Sequence, residues 1–545
     1  MATPKGHVRP NETGTKGTSV RASHIIKIGL AGTLVAGVAM GMSSAAVQAD
    51  DGFHVDGVPT ANPKFGVQNN VLTPSATQTS VAWGNLPLTN PDTANGVTNY
   101  GYNTLDGAPL TQTKNEAHKT EPDKNVYLTF GGKHYLYQGH EIGPRGYVTR
   151  INLDETDAAK RVTLISDVDP QGNAYPTIDG ITWDPFTKQL LLTAESGSPK
   201  GGVFGVSLDA KGDAVDGKAV RLNALGSGGY EGIQNDSFGN IWIVEDIGGA
   251  AAGGGKVPNS YVYRFVPTDK ADLAKGGSLQ ALQIKRSDGS PATAAQLQAN
   301  PSDPFIASLH TYGTSFDTRW VTIHTGTTEA FDATGAAKAA AATPLKRPEN
   351  GVFRPGTDFR EFYFTETGDT TTGSTLPGAY GGVFRLSQSS AKADTGKLSI
   401  SVVGDKQHTG FDNIQFATDR AMLVVEDAGD GLHTQRNALD SGYLYELARR
   451  DDRSNGKGSS APTPVRWLAE GRDASATFDS MSGPSYNDGD NEITGIHVSD
   501  GDPTPAGILG AKIPHPVGST WRTFWTQQHG DNITWEINWS GASQH

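Results

Sequence analysis

Short stretches of alternating apolar and polar residues, separated by turn-forming residues, recur along most of the chain. Several share one plan: an acidic residue, a short strand, a turn, and a second strand that ends at another acidic residue. The clear copies occupy residues 179–195, 231–246, 349–366 and 412–427. A looser copy spans 492–529, and 133–141 matches the second strand of a sixth unit. Because turn formers stand between β-branched and aromatic runs, the pattern predicts antiparallel hairpins.

Repetition of one hairpin along a chain is typical of β-propellers, in which each hairpin forms the inner half of a blade. We therefore predict an all-β fold, a β-propeller of six blades with small helical and loop insertions. Strands expected in the outer halves are 147–153, 261–265, 382–386 and 443–447, and expected insertions are 248–255, 332–342, 451–462 and a short helix at Thr293–Ala299. An irregular β-sandwich with acidic turns is the alternative fold.

Residues 1–49 differ from the rest of the chain. Basic residues precede an apolar run at 28–42, and Val47-Gln48-Ala49 then precedes Asp50. This arrangement predicts a cleavable secretory signal over 1–49 and a single propeller domain over 50–545. A membrane-spanning helix needs about 20 apolar residues, so we expect no stable membrane anchor. No Arg-Arg pair precedes the apolar run, which favours Sec-type export, to the periplasm or the extracellular space, over the twin-arginine route.

The composition narrows the possible chemistry. The 545 residues include 45 Lys and Arg against 58 Asp and Glu, and the formal net charge is −13. Such a chain lacks the broad basic surface that binds nucleic acid, so we expect no nucleic-acid partner. It contains no cysteine, which excludes disulfides, thiolate nucleophiles and cysteine-ligated metals. An exported protein without disulfides depends on a large core or on bound ions for its stability.

The acidic ends of the hairpins indicate a metal site. The first residue of one strand in a hairpin and the last residue of the next lie at the same end. The innermost strands of a propeller surround its channel, so the acids of all blades would gather at one mouth. Carboxylates at that density repel one another unless protons or cations neutralise them, and clustered oxygen ligands suit calcium. One acidic pair alone is commonly a solvated turn, and it is the recurrence in four units that favours several calcium ions.

Arg347 stands two positions before one of these acids, Glu349. A guanidinium group is planar and always charged, and it can bind two phosphate oxygens at once. The pair therefore fits a metal site that binds a phosphoryl group. A surface ion pair is the alternative explanation of the same two residues.

Taken in order, these segments resemble the PhoX family of exported alkaline phosphatases. The resemblance rests on His140-Glu141 before 146–150, on 192–195, on Arg347-Pro348-Glu349 before 363–368, and on 411–413, 492–495 and 528–530. The Arg-Pro-Glu block, together with the Glu-Ile-Thr-Gly to Gln-His ending, is the most specific part of the match.

The resemblance implies a propeller whose central site holds several calcium ions and iron, and which hydrolyses small-molecule phosphomonoesters. It implies that Glu349 bridges metal ions, that Arg347 binds the substrate phosphate, and that Glu195 lies beside the metals. It also implies that further acids bind the metals or lie next to residues that do: Glu141, Glu231, Glu366, Asp412, Glu426 and Glu492. The sequence does not specify an oligomeric state.

Three features depart from the family pattern. Family members have an iron-binding cysteine before the acidic residue of the Thr-Cys-Glu strand, where this chain has Ala194. The usual Asn before His-Glu is Gly139, and the twin-arginine signal is missing. Two alternatives follow for Fe³⁺: another residue supplies its ligand, or calcium dominates the site. The departures also allow a relative that kept the scaffold and changed or lost the reaction.

The first functional hypothesis is metal-dependent hydrolysis of phosphoesters. The cations would neutralise the phosphate oxygens and supply the nucleophile, and Arg347 would stabilise the transition state. His140 or His529 would protonate the leaving alkoxide, although a structural role is the simpler interpretation of either histidine. The second hypothesis is a calcium-dependent lactonase or esterase, which has no special need for Arg347. The third is a non-catalytic, calcium-stabilised propeller that binds a partner at its acidic face.

Two other chemistries are disfavoured. The chain has no Gly-x-Ser-x-Gly motif, so covalent serine catalysis of that type is not expected. The glycine-rich segment 253–257 lacks the Ser or Thr that follows the lysine of a Walker loop, which argues against nucleotide binding through a P-loop.

Overall fold

The computed structural model describes residues 47–48, 53–64, 68–102, 120–141, 145–326, 329–448, 460–472, 492–528 and 532–541. Apart from Val47 and Gln48, the predicted signal 1–49 lies outside these residues and stays a prediction. Within the described residues, no helix is long and apolar enough to cross a membrane.

Short strands come first in the described chain. They are β1 (Val47–Gln48), β2 (His54–Val55), β3 (Val71–Leu72), β4 (Ala76–Ala82), β5 (Pro87–Asp92) and β6 (Val97–Asn99).

The chain then folds into repeated groups of antiparallel strands, which we number in chain order. The first two groups are β7 (Pro122–Phe130), β8 (Lys133–His140), β9 (Tyr147–Asn152) and β10 (Val162–Ser166), then β11 (Ile178–Asp184), β12 (Gln189–Ala194), β13 (Gly202–Leu208) and β14 (Ala214–Arg221). The third is β15 (Tyr230–Asn235), β16 (Ile241–Glu245), the inserted hairpin β17 (Ala251–Ala252) and β18 (Gly255–Lys256), β19 (Val262–Pro267) and β20 (Gly277–Ile284), followed by β21 (Phe316–Thr325).

Three more groups follow. The fourth is β22 (Pro348–Phe353), β23 (Glu361–Glu366), β24 (Gly382–Gln388) and β25 (Thr395–Val403), and the fifth is β26 (Phe411–Phe416), β27 (Ala421–Glu426), β28 (Ser441–Glu446) and β29 (Pro464–Ala469). The sixth is β30 (Glu492–Ser499), β31 (Arg522–Gln528) and β32 (Ile533–Trp539).

The first strands of these groups form a closed ring. Strand β7 contacts β11, and the contacts continue through β15, β22, β26 and β30 back to β7. This ring surrounds a central channel and confirms the predicted all-β propeller. The strands predicted for the outer halves are third strands of their groups, namely β9, β19, β24 and β28.

Early strands complete later groups. Strand β4 pairs antiparallel with β32 as the fourth strand of the sixth group, and β3 pairs with β29. Strand β5 adds to the first group by a parallel pairing with β10. Strand β21 pairs with both β20 and β25, so the third and fourth groups belong to one nine-stranded sheet.

Helices are short and lie in the connections: α1 (Gly197–Lys200), α2 (Ala294–Ala299), α3 (Pro304–Leu309), α4 (Ala333–Ala339) and α5 (Gly429–Arg436). Helix α2 confirms the predicted helix, and it begins with a capping box between Thr293 and Gln296. Helix α3 begins at Pro304, where the Asp303 carboxylate accepts the Phe305 N–H at 2.8 Å. Single 3₁₀ turns occupy Ala158–Lys160, Asn223–Leu225, Leu273–Lys275 and Pro505–Gly507.

The hydrophobic core fills the spaces between neighbouring groups. Between the third and fourth groups, the Trp242 ring lies 5.2 Å from Trp320, 5.1 Å from Phe353 and 5.0 Å from Phe362, measured between centroids. Strands such as β16 and β27 are buried along their whole length because both of their faces pack against neighbouring strands. Apolar packing on both faces leaves the strand ends at the channel as the place for charged side chains.

Candidate metal centre

Each first strand contains the same irregularity in its pairing. In the first group Pro122 pairs with His140 and Asn125 with Gln138, so two residues of β7 face one residue of β8. Matching register shifts lie between 178 and 181, 230 and 233, 348 and 351, 411 and 414, and 494 and 497. A β-bulge of this kind adds one residue to a strand and turns its side chains in a new direction.

The residue after the start of the bulge is acidic in five of the six groups. These residues are Asp123, Asp179, Glu231, Glu349 and Asp412, with Gly495 at the same position of the sixth group. All five acids line one cavity. Because the first strands form the ring, the bulges direct the five carboxylates into the channel.

A second set of acids follows the second strands, one residue beyond the partner of each bulge. This set consists of Glu141, Glu195, Asp246 and Asp427, with Thr367 and Gln527 at the corresponding positions of the fourth and sixth groups. Glu121 and Glu492 complete eleven carboxylates around the cavity, which has a volume of about 290 Å³ and is also lined by Arg347 and Gln528.

Most of the predicted site residues meet here. The cavity is lined by Glu141, Glu195, Glu231, Arg347, Glu349, Asp412 and Glu492. Glu366 and Glu426 are not among the described residues that line it. Each is the last residue of its strand, and the side chain of the next residue, Thr367 or Asp427, lies on the opposite face.

Glu366 and Glu426 have other partners in the structure. Glu366 is fully buried and accepts hydrogen bonds from His310 Nε2 at 2.5 Å and from the Lys346 N–H at 2.7 Å. Glu426 is equally buried and pairs with Arg436 Nη1 at 3.1 Å. Both acids are thus occupied in supporting the connections around the channel.

His140 does not reach the cavity either. It precedes Glu141 and therefore points to the other face of β8, where its ring stacks on Tyr147 at 4.2 Å between centroids. Its two ring nitrogens are hydrogen-bonded to Thr120 Oγ1 at 2.9 Å and Thr149 Oγ1 at 2.8 Å. Burial lowers the pKa of His140 well below its ordinary value. The other predicted proton donor, His529, lies outside the described residues.

The sequence predicts Asp179 only as one of the paired hairpin acids, and it does not name the remaining cavity acids as ligands. Asp179 belongs to the first hairpin copy, and Asp246 and Asp427 each follow a strand-ending glutamate, so their proximity to a hairpin end was a usable signal. Glu121 directly precedes, and Asp123 lies in, the first strand of a unit whose second strand alone is evident in the sequence. Which of two adjacent acids enters the channel depends on the bulge and the strand ending.

The electrostatics of the cavity favour bound cations. Burial, together with the charges of neighbouring carboxylates, raises the pKa of Asp123, Glu141, Glu195, Glu231, Glu349 and Asp412 well above their ordinary values. Burial raises the pKa of Asp179 to about 6. Carboxylates in such a site hold protons unless cations replace them.

The positions of the oxygen atoms fit metal ions. Three overlapping groups, Asp123-Asp179-Glu231, Glu141-Asp179-Glu195 and Glu231-Glu349-Asp412, each place three carboxylate oxygens within 4.8 Å of one another. Asp179 and Glu231 belong to two groups each, as expected of ligands shared between neighbouring ions. Asp123 Oδ1 and Asp179 Oδ1 are buried without a hydrogen-bond donor in the described structure, and a cation would satisfy them.

Arg347 is the one cation among the described residues that line the cavity. Its Nη2 lies 2.6 Å from Asp246 Oδ2 and 3.5 Å from Glu349 Oε1. Its backbone has a positive φ of 59°, and its carbonyl accepts the Thr367 N–H at 2.9 Å. The guanidinium group is thus held at the cavity wall from both the backbone and the side chain.

A β-propeller with a carboxylate-lined channel and one arginine in its wall defines the structural class of this protein. The family model described as "Alkaline phosphatase PhoX" matches residues 240–502. Over these residues the chain is similar to the PhoX family.

One solved structure shares the fold at low sequence identity. PhoX of Pseudomonas fluorescens, in complex with the transition-state analogue vanadate, aligns with a TM-score of 0.52 and 11% identity over 88% of this chain and 97% of that chain. A gluconolactonase of Xanthomonas campestris aligns with a TM-score of 0.35 and 12% identity over 88% of this chain and 99% of that chain. No curated protein matches the chain.

Proposed function

We propose that the protein is an exported, metal-dependent phosphomonoesterase of the alkaline phosphatase type, with a calcium-containing polynuclear site. The observation that carries the proposal is the position of Arg347 in the wall of a cavity surrounded by eleven carboxylates. Cations held by the carboxylates would make the cavity attractive to a phosphate dianion, and the guanidinium group would bind its remaining oxygens. The match to the PhoX family model supports the same reaction.

The shared ligands would be Asp179 and Glu231, with the other members of the three oxygen groups completing each ion's surroundings. When bound, the cations withdraw charge from the phosphate oxygens and favour attack at phosphorus. The chain itself orients the substrate through Arg347. The guanidinium plane of Arg347 is fixed by Asp246, whose Oδ2 lies 2.8 Å from Arg347 Nε and 2.6 Å from Arg347 Nη2. This leaves Nη1 directed to other partners.

Calcium is our choice of metal because the described cavity offers oxygen ligands throughout. Ala194, the residue in place of the family's cysteine, is fully buried at the end of β12. The acid that follows it, Glu195, lines the cavity and supplies a carboxylate there. We therefore propose a site dominated by calcium.

The test combines metal analysis with assays on the purified full-length chain. We expect several equivalents of calcium, hydrolysis of p-nitrophenyl phosphate, loss of activity after chelation, and recovery on adding calcium. Arg347→Ala should lower kcat/KM by about 10²- to 10³-fold, since it removes a donor to the transition state. Arg360→Ala is the control, because Arg360 is half exposed and pairs with Asp358 away from the cavity.

Other outcomes would contradict specific parts of the proposal. Full activity after the site metals have been shown to be absent would rule out the metal mechanism. Iron at one equivalent would contradict a site of calcium alone. Hydrolysis of lactones that survives Arg347→Ala would favour a lactonase, and tight calcium binding without hydrolysis of any ester would favour a binding propeller.

A further inference from the structure

A small hairpin projects from the third strand group beside the cavity. It comprises residues 247–257, contains strands β17 and β18, and is called the Lys256 hairpin below. Ala252 pairs with Gly255, so only Gly253 and Gly254 form the turn. Their φ values of 60° and 85° are those of a type I′ turn, which other residues adopt only with strain.

The hairpin is seated closely on the loop that follows β23. A Cβ atom on Gly255 would lie 2.2 Å from Asp369 Oδ2 and 2.6 Å from Ser374 Oγ, so only glycine allows this approach. Asp369 is itself fixed by the Lys346 ammonium at 2.8 Å. Because Lys346 directly precedes Arg347, the ion pair between Lys346 and Asp369 supports both the Lys256 hairpin and Arg347.

This packing brings a second cation next to Arg347. Lys256 Nζ donates to Thr370 Oγ1 at 3.4 Å, and Arg347 Nη1 donates to the same oxygen at 3.5 Å. The oxygen has two acceptor sites, so both are used and the Thr370 hydroxyl hydrogen is left to donate elsewhere. Burial and the Arg347 charge lower the pKa of Lys256.

Two further observations distinguish the surroundings of Lys256 and Thr370. Arg347 is paired with Asp246, whereas the ammonium of Lys256 forms no ion pair with any described residue. Thr370, like Arg347, has a left-handed backbone, with φ of 47°. Left-handed residues other than glycine cost free energy and gather where function requires them.

We propose that Lys256 and Thr370 bind a second anionic group of the substrate, next to the phosphoryl group at Arg347. The site would then prefer phosphomonoesters that carry a carboxylate or a further phosphate close to the ester. An anion placed between two cations relieves their repulsion, and each charged hydrogen bond contributes to affinity. This inference rests on the proposed phosphatase function.

The test uses two compounds with the same phosphoryl group, 3-phosphoglycerate, which carries a carboxylate, and glycerol 3-phosphate, which does not. Lys256→Met should raise KM for 3-phosphoglycerate about tenfold and change kcat by less than about twofold. It should leave KM for glycerol 3-phosphate within about twofold, and Lys256→Arg should retain the preference. Lys270→Met, which removes an exposed lysine over the Phe186 ring, is the matched control.

Calorimetric binding of both compounds to the metal-loaded protein gives a readout that does not depend on turnover. If Lys256→Met lowers the affinity for the two compounds equally, or lowers it for neither, the inference is overturned while the phosphatase function stays intact. If the wild-type protein neither hydrolyses nor binds either compound, the proposed function fails, and this inference fails with it.

Discussion

Glu245 and Asp246 are neighbours in the chain but act in different places. Glu245 ends β16 and accepts hydrogen bonds from the Tyr263 hydroxyl at 2.8 Å and the Tyr261 N–H at 3.1 Å. Burial raises the pKa of Glu245 to about 8. Asp246 lines the cavity and holds Arg347. Adjacent residues of an extended chain point to opposite faces, so one step along the chain separates a buried support from a residue that lines the cavity.

The same distinction predicts different effects for Glu366 and Glu349. Glu366→Gln should leave the bound metal unchanged and lower the free energy of unfolding by about 1–3 kcal/mol, because the side chain supports His310 and Lys346. Glu349→Gln should lower the bound metal by about one equivalent and reduce activity, since Glu349 belongs to an oxygen group. Elemental analysis and denaturant unfolding of both variants measure the two effects. Loss of metal in Glu366→Gln would contradict this assignment.

Residue patterns predicted much of the cavity, and strand geometry explains the remainder. Glu231, Glu349 and Asp412 were recognised because each opens a hairpin, and all three enter the channel. Glu366 and Glu426 each end the second strand of a hairpin, but a spacing along the sequence does not reveal on which face a strand ends. Neither side chain lines the cavity, and the prediction that the two acids bind metals or lie next to residues that do stays a prediction.

At the scale of elements, the bulges and the Lys256 hairpin place the chemistry. A bulge leaves no mark in the alternation of apolar and polar residues, because it depends on the pairing of two strands. For this hairpin the sequence predicts an insertion over 248–255 and argues against a Walker loop, and it assigns no role to Lys256. Its glycines did not form a phosphate-binding loop before a helix; they form a tight turn that presents Lys256.

The role of the hairpin turn in substrate binding can be tested by substituting two glycines with alanine. Gly254→Ala has open space for its side chain but must hold φ at 85°, which costs about 1 kcal/mol. We expect a several-fold higher KM for 3-phosphoglycerate and a Tm that falls by no more than about 2 °C, because the entropy of unfolding of a chain of this size is large. Gly248→Ala, which also meets open space and requires no left-handed φ, is the control. Equal effects of the two variants on KM would contradict a role for the turn.

At the scale of the whole molecule, ring closure concentrates negative charge. Six first strands meet around one channel, and five of them bring a carboxylate at the same register position. The fold therefore depends on protons or cations at its centre. A protein without cysteine can gain stability from such ions.

This dependence predicts how stability changes with pH. The buried acids have raised pKa values in the folded state, with Asp179 at about 6, against about 4 in an unfolded chain. The folded, metal-free protein then binds more protons than the unfolded chain, so its stability falls as pH rises from about 4 through 6 and above. We expect the Tm after chelation to be roughly 5 °C lower at pH 8 than at pH 5, and calcium to restore it at pH 8.

Scanning calorimetry at both pH values, with and without calcium, measures this effect. A Tm of the chelated protein that is equal or higher at pH 8 would contradict the assignment of raised pKa values. Failure of calcium to restore the Tm at pH 8 would contradict its role as the resident cation.

The sequence by itself determined the all-β repeat, the recurrence of acids at hairpin ends and the absence of thiol chemistry, because these depend on residue type and on spacing within one hairpin. The tertiary structure alone decided which acids face the channel, since bulges and strand ends set side-chain direction. It also decided that His140 lies in a buried network and that Lys256 stands beside Arg347. Lys256 and Arg347 are about 90 positions apart in the chain, so they meet only after the third and fourth groups have packed together, and no local pattern records that contact.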